Sequence, residues 1–165
     1  MPIKAALSEE EYLRTSFPGV DQEYRDGELV ERSVPDLFHG RTQGDFYVYF
    51  RKHEQLKLFA SIETRLRLRP GRYVIPDVVV FWPELPTSRV PETLPLIVIE
   101  ILSPDDRMSK VRDKLQEYAD WGVAHIWLVD SDRRVLYLFR DGLHEVKSFA
   151  IPEVELEVTV ADIFG

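Results

Sequence analysis

Hydrophobic and polar positions predict a strand–helix–strand unit in the middle of the chain. Segment 96–102 is apolar on both faces except at Glu100, which is typical of a central strand in a sheet. A helical segment then runs to about Trp121, where Gly122 ends it, and a second apolar strand follows at 124–130. We therefore predict two parallel strands joined by a right-handed helical crossover.

The N-terminal part of the sequence predicts a helix, a hairpin and a second helix. A capping box at 8–11 marks the start of the first helix, and Pro18-Gly19 ends it. Asp26-Gly27 predicts a tight turn between two short strands. Segment 37–55 suits a helix, although its aromatic content leaves a strand open.

Further strands are predicted on both sides of the central unit. Strict alternation over 62–69 predicts one strand with Glu63 and three arginines on a single face. Segment 77–82 predicts another strand, and the proline-rich linker 83–95 predicts a surface loop. The remaining predicted strands are antiparallel and lie at 134–140, 143–149 and 155–158.

Composition limits the class of protein. The 165 residues, of which 44% are hydrophobic, fit a single globular domain spanning 1–165. The absence of cysteine excludes disulfides, thiolate zinc sites and cysteine nucleophiles. No apolar stretch is long enough to cross a membrane, and the acidic run 9–11 does not fit a signal peptide. We expect a cytoplasmic protein without a membrane partner.

Charge argues against a protein that simply coats nucleic acid. Lysine and arginine number 21 against 29 aspartate and glutamate residues, so the net charge is -8 and contact with a polyanion must be local. Segment 51–72 is the basic part of the chain. Within it, Arg65, Arg67 and Arg69 are candidates for contacting phosphate, although a solvated sheet face explains them equally well.

Glu100 is the most informative residue, because a carboxylate in an apolar strand needs a cation or several hydrogen bonds. At 100° per residue, Lys114 falls within the buried arc of the following helix, next to Tyr118. Lys110 lies just outside that arc and should be more exposed. We therefore predict that Lys114 faces the sheet and approaches Glu100.

Asp77, directly after Pro76, begins a strand and can bring a second carboxylate to the same end of the sheet. Two adjacent carboxylates repel unless a divalent cation lies between them, and Mg²⁺ or Mn²⁺ with a nearby lysine is a recurrent arrangement for phosphodiester hydrolysis. Two simpler interpretations stay open. Asp77 can accept backbone amides at a strand start, and Glu100 with Lys114 can form a structural ion pair.

These residues stand in an ordered set of motifs that resembles a known family. The motifs are Pro76-Asp77-Val-Val-Val, Ile-Glu100-Ile-Leu-Ser103-Pro104, Lys114-x-x-x-Tyr118-x-x-x-Gly122-Val123 and Ile126-Trp127-Leu128-Val129-Asp130. Together with the hairpin 24–30 and His39, they resemble the Uma-type restriction endonucleases of the PD-(D/E)XK nuclease superfamily. The resemblance covers most of the chain, and it is the order of the motifs that is specific.

The resemblance implies an α/β fold of mixed α+β type, the restriction endonuclease-like fold, with a central mixed β-sheet flanked by helices. It further implies a metal site formed by Asp77 and Glu100, DNA as the substrate and a homodimer. One departure concerns the lysine, which in the superfamily usually follows the glutamate by two residues. That position is Leu102 here, so Lys114 would act as a migrated lysine.

The favoured function is a metal-dependent DNA endonuclease with Asp77, Glu100 and Lys114 as catalytic residues. Lys110 joins the candidates for DNA contact. The accessory candidates are His39, Glu31 and Tyr118. Each has a simpler interpretation: His39 as a loop residue, Glu31 as part of a solvated hairpin and Tyr118 as a core residue. A catalytically inactive nuclease-fold protein that binds nucleic acid or protein is the alternative function, and a purely structural interaction domain is a third.

Overall fold

The structure is a computed structural model that describes residues 6–165; residues 1–5 of the predicted single domain lie outside the described residues. The helices are α1 (Glu9–Arg14), α2 (Leu37–Arg51), α3 (Met108–Trp121) and α4 (Val160–Phe164). The strands are β1 (Glu23–Arg25), β2 (Glu28–Val30), β3 (Phe59–Ile62), β4 (Leu66–Arg69), β5 (Arg72–Val74), β6 (Val78–Phe81), β7 (Ile97–Ile101), β8 (His125–Asp130), β9 (Val135–Phe139), β10 (Leu143–Val146), β11 (Ser148–Ile151) and β12 (Leu156–Thr159). Short 3-10 helices lie at Glu54–Leu56 and Pro152–Val154.

The main sheet has six strands in the order β10-β9-β8-β7-β6-β3. β7 and β8 pair in parallel through the crossover helix α3, as predicted, and the other pairs in this sheet are antiparallel. β6 pairs with β7 so that Val78 lies opposite Ile99. Asp77, one residue before Val78, therefore lies at the same end of the sheet as Glu100.

A smaller sheet, in the order β2-β1-β5-β4, is built on the predicted hairpin. Asp26 and Gly27 form its turn with φ values of 49° and 96°, which is the backbone conformation that a two-residue hairpin of this kind requires. A third sheet contains β11 and β12 only. The mixed central sheet with flanking helices confirms the predicted fold class.

The prediction of one strand over 62–69 is wrong. β3 pairs with β6 in the main sheet, whereas β4 pairs with β5 in the smaller sheet. Between them Glu63 has φ 51°, a left-handed conformation that breaks the extended chain. The alternation of apolar and polar side chains could not reveal this break. It is a local pattern, whereas the two halves of the segment pair with distant strands in different sheets.

Other element boundaries also differ from the sequence prediction. α1 ends at Arg14, several residues before Pro18, and segment 143–149 divides between β10 and β11. α4 was not predicted; Thr159 begins it with a capping box to Asp162. Segment 37–51 is helical, so the open alternative of a strand there is wrong.

Both faces of the main sheet are covered, which explains why its central strands are mainly apolar on both faces. Phe46 and Phe50 of α2 pack against one face, and Leu115 and Tyr118 of α3 pack against the other. Trp127 of β8 is fully buried on the α2 side. The packing fixes both helices relative to the end of the sheet where Asp77 and Glu100 lie.

No helix in residues 6–165 combines the length and the apolar character that a membrane span requires.

We predict that Trp127→Ala lowers the free energy of unfolding by about 3–5 kcal/mol, because it removes a large buried side chain. The indole stacks on Phe149 with ring centroids 4.1 Å apart. Urea denaturation followed by circular dichroism measures the change. Trp82→Ala is the matched control, since Trp82 is 36% exposed and should lose much less. Equal losses in the two variants would contradict this description of the core.

Candidate active site

Glu100 on β7 is held by two side chains from α3. Tyr118 Oη donates to Glu100 Oε1 at 2.6 Å, and Lys114 Nζ lies 2.8 Å from the same oxygen. Lys114 and Tyr118 are four residues apart, so they project from the same face of α3 towards the sheet. The predicted approach of Lys114 to Glu100 is therefore present in the structure.

Lys114 is shared between two carboxylates. Its Nζ lies 2.6 Å from Glu23 Oε1 and also donates to the Ile75 carbonyl at 3.3 Å. Burial alone would lower the pKa of Lys114, but the charges of Glu100 and Glu23 outweigh it and raise the pKa above the usual value. Lys114 is therefore a stable ammonium ion at neutral pH.

Glu23 is a site residue that the sequence analysis missed. It is 2% exposed on β1, accepts from Arg72 Nη2 at 3.1 Å and accepts from the Ile75 amide at 2.9 Å. Burial raises its pKa, yet the neighbouring Lys114 and Arg72 hold it below the usual range. No local sequence pattern predicts Glu23 as a site residue, because its partners are distant in the sequence. They are Lys114 of α3 and the Arg72–Ile75 segment after β4.

Asp77 is also buried, with 4% of its surface exposed, and it is tied to β7. Its Oδ2 accepts from the Ile101 amide at 2.7 Å and lies 3.3 Å from His39 Nε2. Burial raises the pKa of Asp77, but His39, Lys114 and the Ile101 amide together outweigh this effect and hold the pKa below the usual range. Asp77 does accept a backbone amide, as its simpler interpretation requires, but from the neighbouring strand.

Helix α2 supports Asp77 through two residues one turn apart. His39 contacts the carboxylate, and Gln43 Nε2 donates to the Asp77 carbonyl at 2.8 Å. Burial lowers the pKa of His39, but the hydrogen bond to Asp77 and the negative charges of Asp77, Glu63 and Glu100 together raise it above the usual value. His39 Nδ1 is buried without a hydrogen-bond partner. Both side chains therefore restrain Asp77 from the same face of α2.

Arg32, in the segment after β2, also contacts Asp77. Its Nη1 donates to Glu63 Oε2 at 2.7 Å, and its Nη2 lies 3.4 Å from Asp77 Oδ1. Glu63 in turn accepts from Gln43 Nε2 at 2.8 Å. Glu63 is thus a salt-bridge partner of Arg32, and the sequence analysis missed both Arg32 and Gln43.

A cleft of about 810 Å³ opens over this group. Asp77, Glu100 and Lys114 line it. Among the other predicted residues, His39, Glu31 and Lys110 also line the cleft. Tyr118 does not line it, but its hydroxyl donates to Glu100, which does.

The three arginines proposed for DNA contact do not line the cleft. Each holds a carboxylate elsewhere: Arg65 pairs with Asp21 at 2.6 Å, Arg67 with Glu9 at 3.0 Å and Glu92 at 2.6 Å, and Arg69 with Asp26 at 2.9 Å. These ion pairs compete with phosphate for the guanidinium groups, so Lys110 becomes the stronger of the predicted DNA contacts.

The donor set can be tested for its fit to a divalent cation. In residues 6–165 there is no group of three or more histidine, aspartate or glutamate side chains placed to hold one. Burial, together with the nearby Asp77 and Glu23 carboxylates, raises the pKa of Glu100 to about 7 despite Lys114. Each of these carboxylates already has a cationic side chain as a partner, and a divalent cation would have to share the carboxylates with these partners. Two carboxylates fit Mg²⁺, which keeps several water ligands and takes phosphate oxygens.

A solved structure shares this fold. It is described as a putative nuclease belonging to DUF820 from Anabaena variabilis, with a TM-score of 0.78 and 23% sequence identity, and the match covers 94% of this chain and 96% of that chain. No curated protein matches this chain significantly. The family model described as "Uma2: Putative restriction endonuclease" matches residues 9–163. The chain therefore belongs to the Uma2 restriction endonuclease family.

Proposed function

We propose that this protein is a DNA endonuclease that depends on Mg²⁺ or Mn²⁺. Membership of the Uma2 family supports a nuclease, which is a hydrolase acting on nucleic acids. The observation that carries the finer proposal is the contact of Lys114 with Glu100, at the sheet end that also holds Asp77. Two carboxylates beside a permanent cation suit the hydrolysis of a phosphodiester bond.

Asp77 and Glu100 are the proposed metal ligands. A bound divalent cation would polarise a phosphoryl oxygen and lower the pKa of a coordinated water. Asp77 is suited to this role because the Ile101 amide and His39 hold its carboxylate in one orientation. The Tyr118 hydroxyl orients Glu100 in the same way. These supporting contacts limit the rearrangement that binding would require.

Lys114 is the proposed electrostatic catalyst. Its ammonium group stays protonated between Glu100 and Glu23, so it does not serve as a general base. It can instead donate a hydrogen bond to an oxygen of the scissile phosphate and stabilise the charge that develops during cleavage. The proton of the attacking water must then pass to solvent or to a phosphate oxygen.

DNA is the proposed substrate, and Lys110 is the proposed phosphate contact at the rim of the cleft. Lys110 lies one turn before Lys114 on α3, and Arg107 lies beside it at the start of that helix. Both line the cleft and form no salt bridge within residues 6–165. They provide a local positive surface on a chain whose net charge is -8.

The inactive alternative has its own support, because Lys114 satisfies two buried carboxylates just as a structural ion pair does. Substitutions of Asp77, Glu100 and Lys114 distinguish the nuclease from the inactive binding protein.

We predict that Asp77→Asn and Glu100→Gln each abolish metal binding and lower the rate of plasmid nicking by about 10³-fold. The reason is that a bound metal lowers the activation barrier of hydrolysis by several kcal/mol. Titration calorimetry with Mn²⁺ measures binding, and supercoiled plasmid measures cleavage. EDTA should stop the wild-type reaction. Asp113→Asn is the matched control, since Asp113 lines the cleft but contacts neither carboxylate. Activity that survives both site substitutions would identify a contaminating nuclease.

We predict that Lys114→Met loses cleavage but keeps Mn²⁺ binding, since it removes a cation that competes with the metal. The variant should also lose about 3 kcal/mol of stability, because Glu23 becomes a buried charge with one partner fewer. The double variant Glu23→Gln with Lys114→Met should recover part of this stability while staying inactive. Cleavage by the double variant would show that Lys114 is structural.

We predict that Lys110→Ala lowers the salt dependence of DNA binding by about one counterion, measured as the slope of log K against log salt. The measurement uses fluorescence anisotropy in the Asp77→Asn background, which prevents cleavage. Arg69→Ala is the comparison, because Arg69 is already paired with Asp26. An unchanged slope for Lys110→Ala and a reduced slope for Arg69→Ala would transfer the phosphate contact to the arginines.

A further inference from the structure

The three most exposed large apolar side chains of residues 6–165 lie within five residues of one another. Val34 is 71% exposed, Leu37 is 73% exposed and Phe38 is 60% exposed. Within the described part of the chain, none of them packs against a hydrophobic core cluster. These three residues form an apolar rim, and a group of exposed apolar side chains of this kind marks a binding surface.

The apolar rim borders the cleft of the candidate active site. Ser33, directly before Val34, and His39, directly after Phe38, both line that cleft. Leu37 projects from the far side of the first turn of α2, about 160° around the helix from His39. The rim therefore begins at the cleft and continues outward over the start of α2.

Both ends of the rim are fixed to the rest of the structure. The Ser33 hydroxyl donates a hydrogen bond to the Asp106 carboxylate in the loop after β7. At the other end, Asp36 Oδ1 accepts from the His39 amide at 2.9 Å and caps α2, while His39 contacts Asp77. The rim is therefore a preformed surface, and a ligand can bind to it at little cost in backbone ordering.

The proposed catalytic groups lie at the bottom of the cleft. The side chain of Asp77 is 6% exposed, that of Glu100 is 12% exposed and that of Lys114 is 19% exposed. A phosphate that contacts them must therefore enter the cleft and draw its nucleotide away from a duplex. The neighbouring bases then lose their stacking partners, which costs free energy. A strand that is already unpaired avoids this cost.

Positive side chains lie on both sides of the path from the cleft across the rim. Arg107 and Lys110 line the cleft at the start of α3. Arg41 is exposed on α2, three residues after Phe38, and it forms no salt bridge within residues 6–165. An aromatic ring near free cations is the arrangement that binds single-stranded nucleic acid, since the bases stack and the phosphates pair with the cations.

We propose that the apolar rim stacks against unpaired bases of the substrate, so that the protein prefers DNA with single-stranded nucleotides beside the scissile phosphate. This inference rests on the proposed nuclease function and adds the class of substrate to it. Phe38 provides the ring for stacking, Val34 and Leu37 extend the apolar surface, and Arg41 contacts a phosphate farther along the strand. An intact duplex offers no base face to the rim, because its bases stack on one another.

The test compares the binding of a labelled oligothymidylate with that of a blunt duplex of equal length, by fluorescence anisotropy at one salt concentration in EDTA. The wild type should bind the single strand about 10-fold more tightly than the duplex. Phe38→Ala should weaken single-strand binding by about 10-fold, the effect of one lost stacking contact, and duplex binding by less than about twofold. Phe38→Tyr should keep the affinity because it keeps the ring, whereas Phe38→Leu should lose it.

Trp82→Ala is the matched control, since Trp82 is an exposed aromatic residue that follows β6 at the end of the strand away from Asp77. It should leave binding of both oligonucleotides unchanged. Arg41→Ala should lower the slope of log K against log salt for the single strand by about 0.7, the value for one phosphate contact. Phe38→Ala should leave that slope unchanged, because stacking releases no counterions. Circular dichroism checks that every variant folds.

Three results would each overturn the inference: a wild type that binds the duplex as tightly as the single strand, no detectable single-strand binding, or full affinity in Phe38→Ala or Phe38→Leu. Unchanged oligonucleotide binding together with a molar mass that falls in Phe38→Ala would assign the rim to a protein contact instead.

Plasmid nicking by the wild type in Mn²⁺ is measured separately, so that the two proposals can fail independently. Nicking without any effect of Phe38→Ala on single-strand binding would reject the stacking and keep the nuclease. Single-strand binding that is lost in Phe38→Ala, without any nicking by the wild type, would keep the stacking and reject the nuclease.

Discussion

The shared ammonium group of Lys114 is the interaction on which the rest of the structure depends. It joins Glu23 of the smaller sheet to Glu100 of the main sheet, and it does so from α3, which packs on both. Each carboxylate is buried, so this cation stabilises the charged form of both. One side chain thus fixes the two sheets and the crossover helix around the cleft.

A second constraint acts on Asp77 and comes from the other side of the sheet. α2 presents His39 to its carboxylate and Gln43 to its carbonyl, while Arg32 links it to Glu63. The site is therefore built from helices on both faces of the sheet. Such support suits chemistry in which two carboxylates must keep their positions against mutual repulsion.

The two sides of α2 differ in what they contact. Its inner side holds His39 against Asp77, and its outer side exposes Leu37 and Val48.

The sequence by itself determined the crossover unit, the hairpin and the orientation of Lys114, because these depend on periodicity and turn residues close together in the chain. Glu23, Arg32 and Gln43 could not be predicted, since each is defined by partners far away in the sequence. The apparent strand at 62–69 shows the same limit, because alternation is local. Only the tertiary structure decided which sheet each half joins and which charges meet, since pairing between distant segments is settled by packing.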